Sequence, residues 1–289
     1  MIEEVLIFGA IQGAVFALLA LGFSLVYGVG GVLNLAHGAF YLIAAYALLW
    51  FVPAVGLQSA MILALVVALL VGAISYLLLI KPLQKTHIGV VIATFALAVF
   101  MEQFVKVIES ARTGGVVTPT TVGMLVNGSV EFLGVKFLAQ DVVAFVGSML
   151  LVSLVTVFMW KAKVGKSIRA VAEDRETATL MGINADRILL LTVMLSSLLA
   201  GAAAVLYVPA SALYPPMGWS ILLVAFSVVV LGGMGSIPGS IIGAFVIAYA
   251  RNFCTFFIDP ALAELVPLIV IFLVLVFRPQ GLLGKKEVQ

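Results

Sequence analysis

Charge is what this 289-residue chain has least of: Asp, Glu, Lys and Arg together make up 10% of it, against 64% hydrophobic residues. No water-soluble fold hides that much apolar surface, so the soluble classes are excluded and an all-α, polytopic transmembrane bundle is expected. Cysteine is reduced to Cys254, which excludes an internal disulfide and a cysteine-based metal cluster. His37 and His87 are the only histidines and no G-x-S-x-G turn is present, so an intramembrane hydrolase would lack its nucleophile and base. A G-x-x-x-x-G-K-[ST] phosphate loop is also missing, so ATP hydrolysis is not expected of this chain, and no cofactor or metal is called for. A net charge of +2 is too small to suggest a nucleic-acid partner. The opening MIEEVL has no basic n-region, so the first apolar run is expected to stay as a span.

Against that background one dense run of charge stands out, Lys161 to Arg187. It holds six basic residues (Lys161, Lys163, Lys166, Arg169, Arg175, Arg187) and four acidic ones (Glu173, Asp174, Glu176, Asp186). Bilayer-length apolar runs flank it, so it is a loop between membrane helices, and its basic excess predicts a cytoplasmic position. Its spacing also predicts order. Asp174 fits the N-cap of a short helix through Met181, with Glu176 in the first turn where the helix dipole favours a carboxylate. Gly182 falls where a left-handed C-terminal residue is wanted. Asn184 fits the cap of the next helix, and Ile183 with Ile188 fits a hydrophobic staple across it. An amphipathic connector and a docking surface for a soluble partner both satisfy this pattern.

The remaining chain divides into apolar runs near the ~20 residues a spanning helix needs. They are Val5–Gly28, Tyr41–Val52 ending at a turn marked by Pro53 and Gly56, Ser59–Ile80, Ile88 to about Ile108, Asp141–Trp160, Ile188–Val208, Trp219–Asn252 and Ala261–Phe277. Glu102 and Lys106 share a helix face in the fourth and read as a snorkelling interfacial ion pair. Residues 109–140, Gly- and Thr-rich, suit a small hairpin on the outer face. Lys81, Lys85, the six loop residues, Arg278, Lys285 and Lys286 put eleven of the fifteen basic residues on one side. That asymmetry predicts an outside N-terminus, an inside C-terminus and an odd number of crossings, with eight to ten spans as the working range and residues 1–289 forming one transmembrane domain.

Two of these runs cannot be continuous helices. Gly28 to Phe40, GVGGVLNLAHGAF, sets four glycines, Asn34 and His37 among apolar residues. Such a break is tolerated at membrane depth only when buried in protein or lining a cavity. Trp219–Asn252 is 34 residues long. A straight helix of that length would be ~51 Å against a ~30 Å hydrocarbon core, so it must break, at Leu231–Ser240. Gly30-Gly31 with Gly38-Ala39-Phe40, and Gly232-Gly233 with Gly243-Ala244-Phe245, resemble matching places in a two-fold internal repeat. Paired interruptions of this kind point to a translocation path in transporters, although glycines are also common in packed membrane helices. The expected path residues are Asn34, His37, Gly38, Gly232, Gly233, Gly235 and Gly239. Asn34 and His37 offer uncharged donors and acceptors to a zwitterion, or alternatively satisfy backbone groups freed at the break.

The stretches LNLAHGAFYLIAAYA, AVAEDRETATLMGINADR, VVLGGMGSIPGSIIGAF and VFRPQGLLG, in that order, resemble the permease subunits of branched-chain amino-acid ABC importers, the LivH/LivM type. The resemblance spans nearly the whole chain, and its length is closer to the LivH type. Ala44-Ala45-Tyr46 departs from the family's frequent Gly-Ala-Tyr, which bears only on local packing. The resemblance implies a path for hydrophobic amino acids in the cytoplasmic membrane. It implies two cytoplasmic ATPase subunits, a second homologous permease subunit and an extracytoplasmic solute-binding protein as partners, besides membrane lipid. Arg169, Ala172, Glu173, Asp174, Ala178 and Gly182 become the implied ATPase-coupling residues. Importers of other amino acids, small amides or urea stay open alternatives. So does an ion-coupled secondary transporter, for which Glu102 is the one acidic candidate.

Overall fold

The computed structural model describes residues 1–84 and 86–284; Lys85, Lys285 and Lys286, three of the basic residues in the topology count, lie outside them. Helix α1 (Ile2–Gly30) is followed by an irregular segment and α2 (His37–Val55). Helix α3 (Leu57–Ser75) then runs through a π-helical turn (Tyr76–Ile80) into a short α4 (Lys81–Leu83). After α5 (His87–Thr113) comes a hairpin, β1 (Ser129–Phe132) and β2 (Val135–Leu138), and then α6 (Ala139–Lys161). The charged run forms α7 (Lys163–Glu173) and α8 (Arg175–Leu180). Helices α9 (Ala185–Tyr207), α10 (Met217–Gly232), α11 (Ile237–Phe257), α12 (Pro260–Ala263) and α13 (Val266–Phe277) complete the chain.

Among the described residues, seven helices are long and apolar enough to cross a membrane, and α10 and α13 are shorter apolar helices of 16 and 12 residues. That makes nine apolar helices among the described residues, seven of them of spanning length, against the eight to ten spans expected. At 1.5 Å per residue the two short ones reach only about 24 and 18 Å, so neither spans a ~30 Å core on its own. Helices α1, α2 and α9 are buried along most of their length, whereas α3, α5 and α6 present broad apolar faces outward. The hairpin forms as expected, paired antiparallel from Ser129–Leu138 to Phe132–Val135, with Leu133 and Gly134 both at positive φ in its two-residue turn.

Two boundaries differ from the sequence reading. Helix α2 continues through Pro53 and the chain turns only at Gly56 (φ 75°), because a proline removes one N–H bond without ending a helix held on other sides. The last span is divided: Pro267 in the first turn of α13 starts a new helix after α12.

Contacts fix how the helices run. Glycines on α1 take the rings of α11, Gly9 against Tyr249 and Gly13 against Phe245, while Gly28 reaches Gly235 beyond the other end of α11. The two helices are therefore antiparallel. Helices α9 and α3 pack in the same way, Gly201 against Ala68 and Gly72 against Ser197. Helix α2 lies parallel to α5: the Leu35 N–H donates to Thr94 Oγ1 (3.2 Å) and Trp50 Nε1 donates to Glu109 (3.1 Å). Helix α10 packs on α13, and its C-terminal carbonyls at Leu231 and Gly232 accept from Leu282 and Leu283. The packing of α1, α2, α3 and α5 thus repeats in α9, α10, α11 and α13 with every direction reversed. The two halves meet where α2 and α10 begin, at Gly38 and Gly218.

That arrangement relocates the internal repeat. The counterpart of the break before α2 is Ser211–Pro216, the segment before α10, and not the Gly233–Ser236 turn that glycine spacing alone suggested. Both segments deliver a helix whose second residue is glycine, His37-Gly38 and Met217-Gly218. A Cβ on Gly38 would stand 2.1 Å from the Gly218 carbonyl oxygen, so the two helix starts touch backbone to backbone.

Candidate functional site

The first interruption is built from the end of α1 inward. Gly31 closes α1 in the left-handed conformation, its N–H donating to the Tyr27 carbonyl. The chain then turns back along α1 rather than away from it, since His37 Nε2 lies 3.0 Å from the carbonyl oxygen of Leu19. Eleven residues of helix separate Leu19 from Gly30, so α2 starts about 16 Å inside the end of α1. Asn34 makes that return possible: its Oδ1 accepts from the Ala36 N–H (3.1 Å), satisfying a donor freed by the break. Its Nδ2 is buried and has no hydrogen-bond partner among the described residues.

His37 is fully buried and both its ring nitrogens are engaged. A carbonyl can only accept, so Nε2 carries the proton toward Leu19, and Nδ1 accepts from the Ser196 hydroxyl at 3.1 Å. Phe23 meets the ring edge-on. This histidine joins α1, α2 and α9, and both of its nitrogens are occupied by protein partners, neither of them a backbone group freed at the break.

The expected path glycines fall at helix crossings. Gly232 and Gly239 pack backbone to backbone where α10 gives way to α11: a Cβ on Gly239 would lie 2.0 Å from the Gly232 oxygen. Gly233, at φ 100°, meets the Gly284 N–H side of the C-terminal segment, and Gly235 meets Gly28. Ser236 caps α11 by accepting from the Gly239 N–H. The second interruption is therefore a tight turn closed by glycine, and these residues bring helices together rather than line open space.

Glu102 and Lys106 form the ion pair their spacing predicts, and Glu102 gains a further partner. It is 9% exposed, accepts from Lys106 Nζ at 2.6 Å and from the indole N–H of Trp219. The carboxylate faces inward and ties α5 to the first turn of α10, while the Lys106 side chain stays 39% exposed; a buried carboxylate is stabilised by two donors. It gives no free acidic group for ion coupling.

The charged run folds as its spacing indicates. Asp174 caps α8, accepting from the Glu176 and Thr177 N–H groups at 2.9 and 3.1 Å and from the Thr177 hydroxyl. Those bonds, the Thr177 hydroxyl first, hold its carboxyl below the usual aspartate value. Asn184 caps α9 by accepting from Arg187 N–H (3.0 Å), and Gly182 is left-handed at φ 84°. Arg169 stacks over the Trp160 ring at 4.5 Å. Helix α7 buries Gly165, Ile168 and Val171 against the bundle and keeps Ala172 and Glu173 outward. Of the expected coupling residues, Arg169 is half-buried and Ala178 is buried. Ala178 is 5% exposed and seats α8 on the bundle, while Leu180 (83% exposed) and Met181 (80%) are the apolar side chains that α8 presents outward.

One feature of this platform had no signal in residue spacing. Arg175 pairs with Asp186 at 2.7 Å, Gln84 donates to the same carboxylate (3.3 Å), and the Tyr76 hydroxyl donates to the Asp186 carbonyl (2.8 Å). Residues 84 and 186 are far apart in sequence, so only the fold reveals that α8 is strapped to the π-helical end of α3.

The comparisons agree with this architecture over its whole length. Residues 5–275 match the family model described as branched-chain amino acid transport system / permease component. The chain is 29% identical to the high-affinity branched-chain amino acid transport system permease protein LivH of Escherichia coli K12, covering 97% of this chain and 95% of that one. It is 30% identical to the corresponding permease protein BraD of Pseudomonas aeruginosa PAO1, covering 98% and 96%. Against LivM of E. coli K12 the identity is 27%, covering 93% of this chain and 68% of the relative. Among solved structures, PsaBC of Streptococcus pneumoniae in complex with Fab shares the fold, with a TM-score of 0.53 at 11% identity over 96% of this chain and 93% of that one. A multi-pass helical bundle with a capped, charged platform between α6 and α9, matched from end to end by these permeases, belongs to the branched-chain amino acid transport system permease family.

Proposed function

We propose that this chain is the LivH-type permease subunit of an ATP-driven importer in the cytoplasmic membrane, moving branched-chain and other hydrophobic amino acids. The observation that carries this reading is the α7–α8 platform. It is a pair of helices in a charged setting, α8 capped by Asp174, with Leu180 and Met181 exposed at its tip as an apolar anchor for a soluble partner. The chain has no phosphate loop, so hydrolysis belongs to two cytoplasmic ATPase subunits seated on this platform and on that of a second, homologous permease subunit. An extracytoplasmic solute-binding protein delivers the solute at the hairpin end. Movement of α8 reaches the bundle through Arg175, Asp186 and Gln84, and a shift between two arrangements of these contacts is what ATP must favour.

Along the path, Asn34 offers its unpartnered amide N–H₂ to the solute, while His37 positions the helix start that carries Asn34 inward. The experiment is uptake of leucine, isoleucine and valine into proteoliposomes holding the full set of subunits. Uptake should need ATP and the solute-binding protein. Uptake driven by an ion gradient without ATPase subunits would overturn the reading. Asn34→Ala should lower uptake per assembled complex; His37→Ala should lower assembly or thermal stability instead.

A further inference from the structure

At the hairpin end, the first turns of α1, the hairpin, the start of α6 and the end of α9 enclose a cleft of about 430 Å³. That volume lies within the range of small-molecule sites. Its chemistry is more specific than its size. Asp141 faces it, 9% exposed, with Oδ2 accepting from the Leu138 N–H (3.1 Å) at the cap of α6. Among the described residues Asp141 forms no ion pair. A carboxylate this deeply buried is strongly stabilised by a cation, and among the described residues none is in contact with it.

Lys136, on β2, also lines the cleft. Its one ion-pair contact among the described residues is a 3.9 Å approach to Glu131 across the hairpin, with the lysine side chain 74% exposed. A pair that long and that wet contributes little, so the ammonium is free to turn toward an anion in the cleft. Phe8, Ile11 and Phe137 give the same cleft apolar lining. The floor is connected to the core. Gln12, which lines the cleft with Tyr207, accepts from Asn252 Nδ2 at 3.1 Å, and Asn252 also donates to the Ala248 carbonyl (2.8 Å). A ligand here thus touches groups on α1 and α9 that are linked by hydrogen bond to α11.

A buried carboxylate with no ion-pair partner among the described residues, a loosely held ammonium and apolar lining in one cleft are the complement of one ligand class. We propose that this cleft binds a zwitterionic amino acid with an apolar side chain, its ammonium on Asp141, its carboxylate on Lys136 and its side chain against Phe8, Ile11 and Phe137. In the transport reading, on which the role but not the ligand chemistry rests, it is where solute first lodges after delivery and before it enters the bundle.

The test is equilibrium binding of radiolabelled leucine to the complete nucleotide-free complex in nanodiscs, without the solute-binding protein. Binding should saturate, and valine should compete, while isoamylamine and 4-methylpentanoate, each carrying one of the two charges, should compete poorly. Lys136→Ala should weaken binding about 10-fold, the loss of roughly 1.4 kcal/mol, and Lys136→Arg should restore it. Asp141→Asn keeps an acceptor for the Leu138 N–H, so the fold should hold while leucine binding falls by a similar factor. Binding that ignores both substitutions, or no saturable binding at all, would sink the site even if uptake is normal. Zwitterion binding that tracks Lys136 and Asp141 in a complex that transports no amino acid would instead retain the site and overturn the transport reading.

Discussion

The contact between the two helix starts gives the sharpest quantitative expectation. A methyl added at Gly38 would sit 2.1 Å from the Gly218 carbonyl oxygen and 2.9 Å from Leu222 Cβ. Ordinary contact begins at 3.4 Å, so α2 and α10 must part by about 1.3 Å at this point. The obstacle is backbone, and no rotamer change relieves it. Overpacking of this kind costs about 3 kcal/mol, toward the upper end of its usual span, and the better helix propensity of alanine returns about 1. A net loss of about 2 kcal/mol follows for Gly38→Ala. The reciprocal Gly218→Ala meets its nearest atom, the Gly38 oxygen, at 3.1 Å, a misfit of a few tenths of an ångström. There the propensity gain offsets the crowding and the net change is near zero. At about 2–4 °C per kcal/mol for a chain of this size, the two variants should differ in Tm by roughly 4–8 °C. Cys254, free and buried, serves as the reporter: a fluorogenic thiol reagent reads its exposure on heating without any introduced label. Equal melting of the two variants, or a stable Gly38→Ala, would refute the backbone contact.

Gly182→Val places a β-branched residue at φ 84° with open space around it, so its penalty of at least 1–2 kcal/mol is purely conformational. Solute-stimulated ATPase activity should fall several-fold with insertion intact, Gly182→Asn should be far milder, and unchanged coupling in the valine variant would reduce α8 to a connector. Arg175→Glu should loosen the strap to Gln84 and Asp186, raising ATP consumed per solute imported; combining it with Asp186→Arg should recover much of the ratio, and failure of that rescue would argue against the pair. In a Cys254→Ala background, cysteines at Lys163 and Gly114 should be labelled by impermeant reagents from inside and outside respectively. Labelling of both from one side would overturn the topology.

Local chemistry was the most legible part of the sequence. The caps at Asp174 and Asn184, the left-handed Gly182 and the hairpin each depend on residues within a few positions of one another, and each formed. The breaks near Asn34 and near Gly233 were legible for the same reason, as apolar runs too long or too glycine-rich to stay helical. What the breaks do was not legible. His37 looks like a solute ligand until Leu19 and Ser196 are found on its two nitrogens, and neither partner is implied by spacing. The true partner of the first break, Ser211–Pro216, is marked by two prolines instead of glycines, so composition hid the repeat that packing reveals. The Glu102–Lys106 pair was legible from its spacing, but the second donor to Glu102, Trp219, lies more than a hundred residues away.

The Gly38–Gly218 contact also has a consequence for how such a bundle changes over generations. Most spacings between helices are set by side chains, and a spacing set that way can drift in small steps as one apolar residue replaces another. Here the separation of α2 and α10 is set by peptide groups, and every substitution at Gly38 adds atoms to a gap that holds none. The crossing is a fixed point from which the rest of each half can diverge, and two halves free to diverge on either side of it can lose all likeness of sequence while keeping one geometry.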